Sequence, residues 1–166
     1  HNFPLHNFRR LAPLLHRIRV VKTPMEQELL RKAAEITDKG FRRILEFVEP
    51  GVTEYEIEAE LVHEYTRNRG AFAYNPIIAT GKNACILHYL ENDQTCRKGQ
   101  LLLMDVASSY ANYNADLTRT IPVNGKFSRR QKAVYNAVLR VMRACIDGAT
   151  IGKKHSDWQK ESQLMM

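Results

Sequence analysis

His88, Asp105 and Asp116 combine residue types and spacing that hydrolytic or metal chemistry needs, at successive spacings of 17 and 11 positions. Asp105 closes the apolar run Leu101-Leu102-Leu103-Met104 and precedes Val106-Ala107. In such a strand an unpaired carboxylate must find a partner, take up a proton or bind a cation. Asp116 lies beyond a hairpin through Tyr110-Ala111-Asn112-Tyr113. If the chain reverses near residues 110–111, the two aspartates stand directly opposite each other on neighbouring strands, where like charges repel. A divalent cation between them would relieve that repulsion, because hard cations take oxygen ligands and two carboxylates are a usual minimum. The alternative is that each aspartate accepts hydrogen bonds from the backbone or from Ser108, Ser109 or Thr118.

His88 follows Cys85-Ile86-Leu87, which reads as a strand. Its imidazole titrates near neutral pH, which makes it the candidate catalytic group if it shares a site with the two aspartates. A histidine held for structure alone is the competing reading. Tyr89, beside His88, and Arg119, three residues after Asp116, are candidates for supporting the site or the substrate. A guanidinium can orient a carboxylate, although Arg119 also fits a strand face or an interface. His1, His6, His16, His63 and His155 have no such company and are assigned no role.

The elements that must position these groups are legible from caps and periodicity. Thr23-Pro24-Met25-Glu26 is a capping box with proline at the first helical position. Met25, Leu29, Ala33, Ile36, Phe41, Ile44 and Val48 then follow at helical spacing until Pro50-Gly51. Thr53-Glu54-Tyr55-Glu56 opens a second helix, with Ile57, Leu61 and Tyr65, that ends near Gly70. Short apolar runs at Ile77-Ile78-Ala79, Cys85-Ile86-Leu87 and Leu101 to Met104 read as strands, and residues 109–122 as a returning strand ending at Pro122. Ser128-Arg129-Arg130-Gln131 caps a long helix with Val134, Val138, Val141, Met142 and Cys145 on one face, ending at Asp147-Gly148. Ser156-Asp157-Trp158-Gln159 begins another. Residues 1–22, with Pro4 and Pro13, read as an arm or linker. The order of helices, then mostly antiparallel strands, then helices is α+β.

Composition sets the outer limits. The chain has 166 residues, 44% hydrophobic and 26% charged, which excludes collagen-like, low-complexity and disordered classes. No stretch approaches the length of uncharged apolar residues that a membrane helix needs, so no membrane partner is expected. Lys and Arg number 25 against 18 Asp and Glu, a formal net charge of +7. The basic residues are spread over an N-terminal group and helix surfaces rather than gathered in a patch, so no nucleic-acid partner is expected. Three cysteines without a CxxC motif fit a reducing compartment. With no signal-peptide pattern at the start, the cytoplasm is the expected location.

Taken jointly, Asn83 to Tyr89, Gly99 to Asp105, Tyr113-x-x-Asp116-Leu-Thr-Arg-Thr and Pro122-Val-Asn-Gly-Lys-Phe-Ser-x-x-Gln131 resemble the Xaa-Pro aminopeptidases (aminopeptidase P) of the pita-bread metallopeptidases. Arg19-Val-Val-Lys22-x-Pro-x-Glu26 and Pro50-Gly-x-Thr-Glu54 look like the same family's entry to its catalytic domain, and the likeness covers residues 17–146. Ala107 stands where relatives often have glycine. Asn112 replaces a common hairpin glycine but tolerates positive φ.

The resemblance implies the first half of a pita-bread catalytic domain over residues 23–166. It also implies a site for two manganese (or cobalt) ions that removes the N-terminal residue from peptides with proline second. It makes Asp105 a bidentate ligand of one ion, Asp116 a bridge between both, and His88 a group lining the substrate site. A His and two Glu ligands, and a further His, come from the second half of that domain in the family. The chain therefore reads as a fragment, expected to bind metal weakly and to be inactive by itself. Its exposed half-domain surface is expected to drive self-association into a homo-oligomer. The alternatives are a prolidase (Xaa-Pro dipeptidase) or another hydrolase of the same fold, and a non-catalytic pita-bread binding module.

Overall fold

The computed structural model describes residues 5, 7 and 9–165; His1, Pro4 and His6 of the expected arm lie outside them. The first helix, α1 (Ala12–Val20), buries none of its residues. Helix α2 (Pro24–Phe47) begins as the sequence predicts. Thr23 accepts from the Glu26 amide, Glu26 accepts from the Thr23 amide, and Pro24 stands at the start. Its buried face is Ala33, Ile36, Thr37, Gly40, Phe41 and Ile44, a stripe of alternating three- and one-residue steps. Helix α3 (Glu54–Arg67) opens on the second capping box and buries Glu54, Ile57, Leu61, Glu64 and Tyr65. The two helices pack closely at Gly40, where an added Cβ would lie 2.7 Å from the Tyr65 ring and 3.1 Å from Leu61.

Strands β1 (Ala71–Phe72), β2 (Ile77–Thr80), β3 (Leu101–Asp105), β4 (Ser108–Tyr110), β5 (Tyr113–Asn114) and β6 (Thr118–Pro122) form two three-stranded sheets, β1-β4-β5 and β2-β3-β6. Every pairing among them is antiparallel. Strand β3 is central in its sheet. Leu102 and Met104 are fully buried in a core shared with Ile36, Ile44, Ile57, Leu61 and Tyr65, while Leu101, Leu103 and Asp105 are half-buried. The alternation is that of a strand with one face on the core. Thr37 joins α2 to β4: its hydroxyl donates to the Ala33 carbonyl and accepts from the Ser108 amide, both at 2.9 Å.

Two expectations are corrected. Cys85-Ile86-Leu87 is not a strand; Gly81–Cys85 is a short 3-10 turn, and Ile86 and Leu87 face solvent at 53% and 86% exposure. An apolar run without a partner strand has no ladder to join, and periodicity cannot reveal that. Residues 109–122 are not one strand either. Ala111 and Asn112, at φ +49° and +65°, make a two-residue turn between β4 and β5, and residues 115–117 leave the ladder before β6.

Helices α4 (Arg129–Gly148) and α5 (His155–Leu164) follow, joined by Trp158, which donates its indole N–H to the Cys145 carbonyl at 2.8 Å. Ser128 and Gln131 form the expected capping box, and Gln131 also donates to the Gly99 carbonyl. The apolar face of α4 is not buried: Val134 and Val138 line an open groove of about 470 Å³ with Leu101, Thr118 and Thr120.

Candidate metal centre

Asp105 ends β3 on the face away from α2 and α3, paired in register with Ile77 of β2 and Thr118 of β6. Asp116 sits in the excursion between β5 and β6. Two backbone bonds hold that excursion: Ala115 N–H to the Ser108 carbonyl and Val106 N–H to the Leu117 carbonyl. The aspartates are therefore not directly opposed as expected. The reversal is centred on Ala111 and Asn112, one residue later than 110–111, and moving a hairpin's centre by one residue moves each cross-strand partner by two.

The carboxylates nevertheless converge. The Tyr74 hydroxyl lies 2.9 Å from Asp105 Oδ1 and 3.2 Å from Asp116 Oδ1. Tyr74 follows β1, where Ala73 donates its N–H to the Ala107 carbonyl. The phenol has one proton, so it satisfies one carboxylate oxygen at a time. Burial, and then the two neighbouring carboxylates, push the Tyr74 hydroxyl well above its ordinary value, so it remains a donor. Among the described residues neither aspartate forms an ion pair with Lys, Arg or His. Ser108 and Ser109, offered as alternative donors, make no bond to either; the Ser108 hydroxyl donates to the Ser109 carbonyl.

Two carboxylates that form no ion pair among the described residues make a hard, oxygen-only donor pair of the kind that suits a divalent ion. Asp105 and Asp116 are the residues that would hold it. Among the described residues, no group of three or more His, Cys, Asp or Glu side chains gathers in one place.

The other candidates make no hydrogen bond to either aspartate. His88 stands exposed in a turn with φ +54°, and no hydrogen bond joins it to Asp105 or Asp116. Arg119 donates to the carbonyl of Thr118. Tyr89 is 4% exposed, and its hydroxyl lies 2.8 Å from Glu54 Oε2 and 3.3 Å from Asp93 Oδ1. Of the two roles expected of Tyr89, contact with substrate or support of the site, its hydroxyl is engaged inside the fold, where it holds the loop.

Sequence reasoning missed Tyr74 and Glu54. Glu54 is fully buried and accepts from Thr80 N–H, Tyr89 O–H and Gln94 N–H. The signal for Glu54 was its place in a capping-box helix turn beside apolar Ile57; Tyr74, before Asn-Pro at a strand break, carried none.

Residues 28–165 match metallopeptidase family M24. The Xaa-Pro aminopeptidase of Haemophilus influenzae is 43% identical over 136 residues, covering 81% of this chain and 32% of that protein. The human Xaa-Pro dipeptidase is 39% identical over 141 residues, covering 81% and 28%. A zinc-substituted Escherichia coli aminopeptidase P in complex with product superimposes with a TM-score of 0.90 at 38% identity, covering 94% of this chain and 36% of that one. The α+β architecture is shared with that structure over the covered portion, as the pita-bread resemblance implied. The chain spans about a third of the length of the curated relatives it matches.

Proposed function

Because this chain belongs to metallopeptidase family M24, we propose that the whole protein is a metal-dependent exopeptidase that removes the N-terminal residue from peptides with proline second. The observation that carries the reading is the convergence of Asp105 and Asp116, without a cationic partner, on the hydroxyl of Tyr74.

Asp105 and Asp116 hold the metal in this reading, and two manganese (or cobalt) ions are the proposed complement. Bound there, such ions supply Lewis-acid polarisation of the scissile carbonyl and a nucleophile at neutral pH. The zinc-substituted relative supports divalent-metal use of this kind. Tyr74 keeps a proton at Asp105 Oδ1 and fixes the direction of that carboxylate. His88 is the proposed catalytic group, its imidazole free of competing bonds within the fold, and Arg119 the proposed contact for a substrate carboxylate. Two protein carboxylates alone hold a divalent ion weakly, so further ligands are assigned to the rest of the protein.

A peptide substrate, a homo-oligomer and a cytoplasmic location complete the proposal. Cys85, Cys96 and Cys145 are free thiols, which supports a reducing compartment, and no described helix is long and apolar enough to cross a membrane.

A second reading, an Xaa-Pro dipeptidase, draws on the name of the human relative. Turnover of an Xaa-Pro-Yaa tripeptide and an Xaa-Pro dipeptide by the whole manganese-loaded protein separates the two. Faster release from the tripeptide is expected. Faster release from the dipeptide favours the second reading, and turnover of neither would remove both.

A further inference from the structure

Glu54 is a fully buried carboxylate with no basic partner, far in sequence from the candidate metal ligands. It stands in the first turn of α3, where the helix dipole favours a negative charge. Its oxygens take three donors: the Thr80 amide at 2.7 Å, the Tyr89 hydroxyl at 2.8 Å and the Gln94 amide at 3.0 Å. Those partners are the last residue of β2, the neighbour of His88, and the far end of the same loop. The loop is otherwise outward-facing at Ile86, Leu87, His88 and Leu90. Asn92, also buried, accepts from Ile78 N–H and donates to the Pro76 carbonyl and Glu58, so a second side chain ties the loop to β2.

His88 has φ +54°, a left-handed conformation that a non-glycine residue keeps only when its surroundings impose it. Its own side chain is exposed and makes no bond within the fold. The adjoining inward anchor is Tyr89, and Tyr89 ends on Glu54.

We infer that Glu54 is the positioning residue of the His88 turn: by gripping Tyr89, Thr80 and Gln94 together, its carboxylate sets where His88 stands relative to β2, the strand beside Asp105. The catalytic half of the inference rests on His88 acting on substrate, as proposed above; the structural half does not.

The carboxylate is specifically required. Both its oxygens accept, whereas a carboxamide offers one accepting oxygen and would turn an N–H₂ toward either the Thr80 N–H or the Gln94 N–H. Glu54→Gln keeps the shape and removes the fit. In that variant, amide exchange of residues 87–90 should accelerate ~10-fold or more while the amides of α2 hold their rates, as a local opening requires. The His88 imidazole resonances should shift as well. A folded Glu54→Gln with unchanged loop exchange and unchanged His88 resonances would overturn the inference. If Glu54→Gln fails to fold, Tyr89→Phe, which deletes the hydroxyl alone, takes the same readouts with the same two outcomes. In the whole manganese-loaded protein, Glu54→Gln should lower kcat on an Xaa-Pro tripeptide ~10-fold or more, with manganese affinity unchanged, the scale of a displaced catalytic group. Should His88→Ala abolish turnover while Glu54→Gln keeps it, the positioning role falls. Should His88→Ala keep full turnover, the assignment of His88 falls instead, and the exchange result still decides what Glu54 holds.

Discussion

Tyr74 donates its hydroxyl to Asp105 at 2.9 Å across 31 residues of sequence. The same oxygen stands 3.2 Å from Asp116. One proton thus stands within reach of two carboxylates, and satisfies one at a time, on a half-exposed sheet surface. A hydrogen bond to a charged acceptor contributes more than a neutral one, so Tyr74→Phe should lower the stability of the metal-free protein by about 1–2 kcal/mol, the low part of that range because the site is only partly buried. Urea denaturation checks it; an unchanged midpoint would mean that water replaces the phenol at no cost.

How far this site was legible in the sequence follows from the range of each interaction. The starts of α2, α3 and α4 were readable because a capping box is closed within four residues. Asp105 was readable because an acid at the end of four apolar residues is out of place wherever the fold goes. The pairing of Asp105 with Asp116 was misplaced by a one-residue error in the turn. The roles of Tyr74 and Glu54 were not legible because their partners lie 26 to 42 residues away and meet only after the sheet and helices have packed. The run Cys85 to Leu87 misled because apolar composition does not report whether a partner strand exists.

Thr37→Val tests the join between helix and sheet. Valine keeps the volume but leaves the Ser108 amide without its acceptor in a buried setting. An orphaned buried donor costs about 1–3 kcal/mol, and chemical denaturation should show a loss of that size. A neutral result would show that Ser108 finds another partner.

Gly40→Ala weighs two opposed effects. Alanine is favoured over glycine within a helix by roughly 1 kcal/mol, yet the new methyl would press on Tyr65 and Leu61 from closer than van der Waals contact. Overpacking typically costs about 1–3 kcal/mol, so the net change should be destabilising and the thermal midpoint should fall. A rise would mean that the Tyr65 ring moves aside freely.

The capping boxes carry a pH signature. Backbone and side-chain hydrogen bonds from Thr23 hold Glu26 below its ordinary value of 4.5, and Thr53 does the same for Glu56. Because both are depressed in the folded state, their contribution is present above about pH 4.5 and fades as pH falls through the lowered folded values. The double variant Glu26→Gln, Glu56→Gln should melt below the parent at pH 7 and converge with it in strong acid. A gap that persists unchanged in acid would assign the effect to something other than charge.

Manganese binding to the whole protein by titration calorimetry, with the parent compared to Asp105→Asn, tests the central claim most directly. The expected result is that the variant loses at least one bound ion, or weakens ~10-fold or more as loss of a charged ligand would, while still melting cooperatively. A folded Asp105→Asn that binds manganese with the parent's stoichiometry and affinity would contradict the assignment of this carboxylate pair as the metal centre.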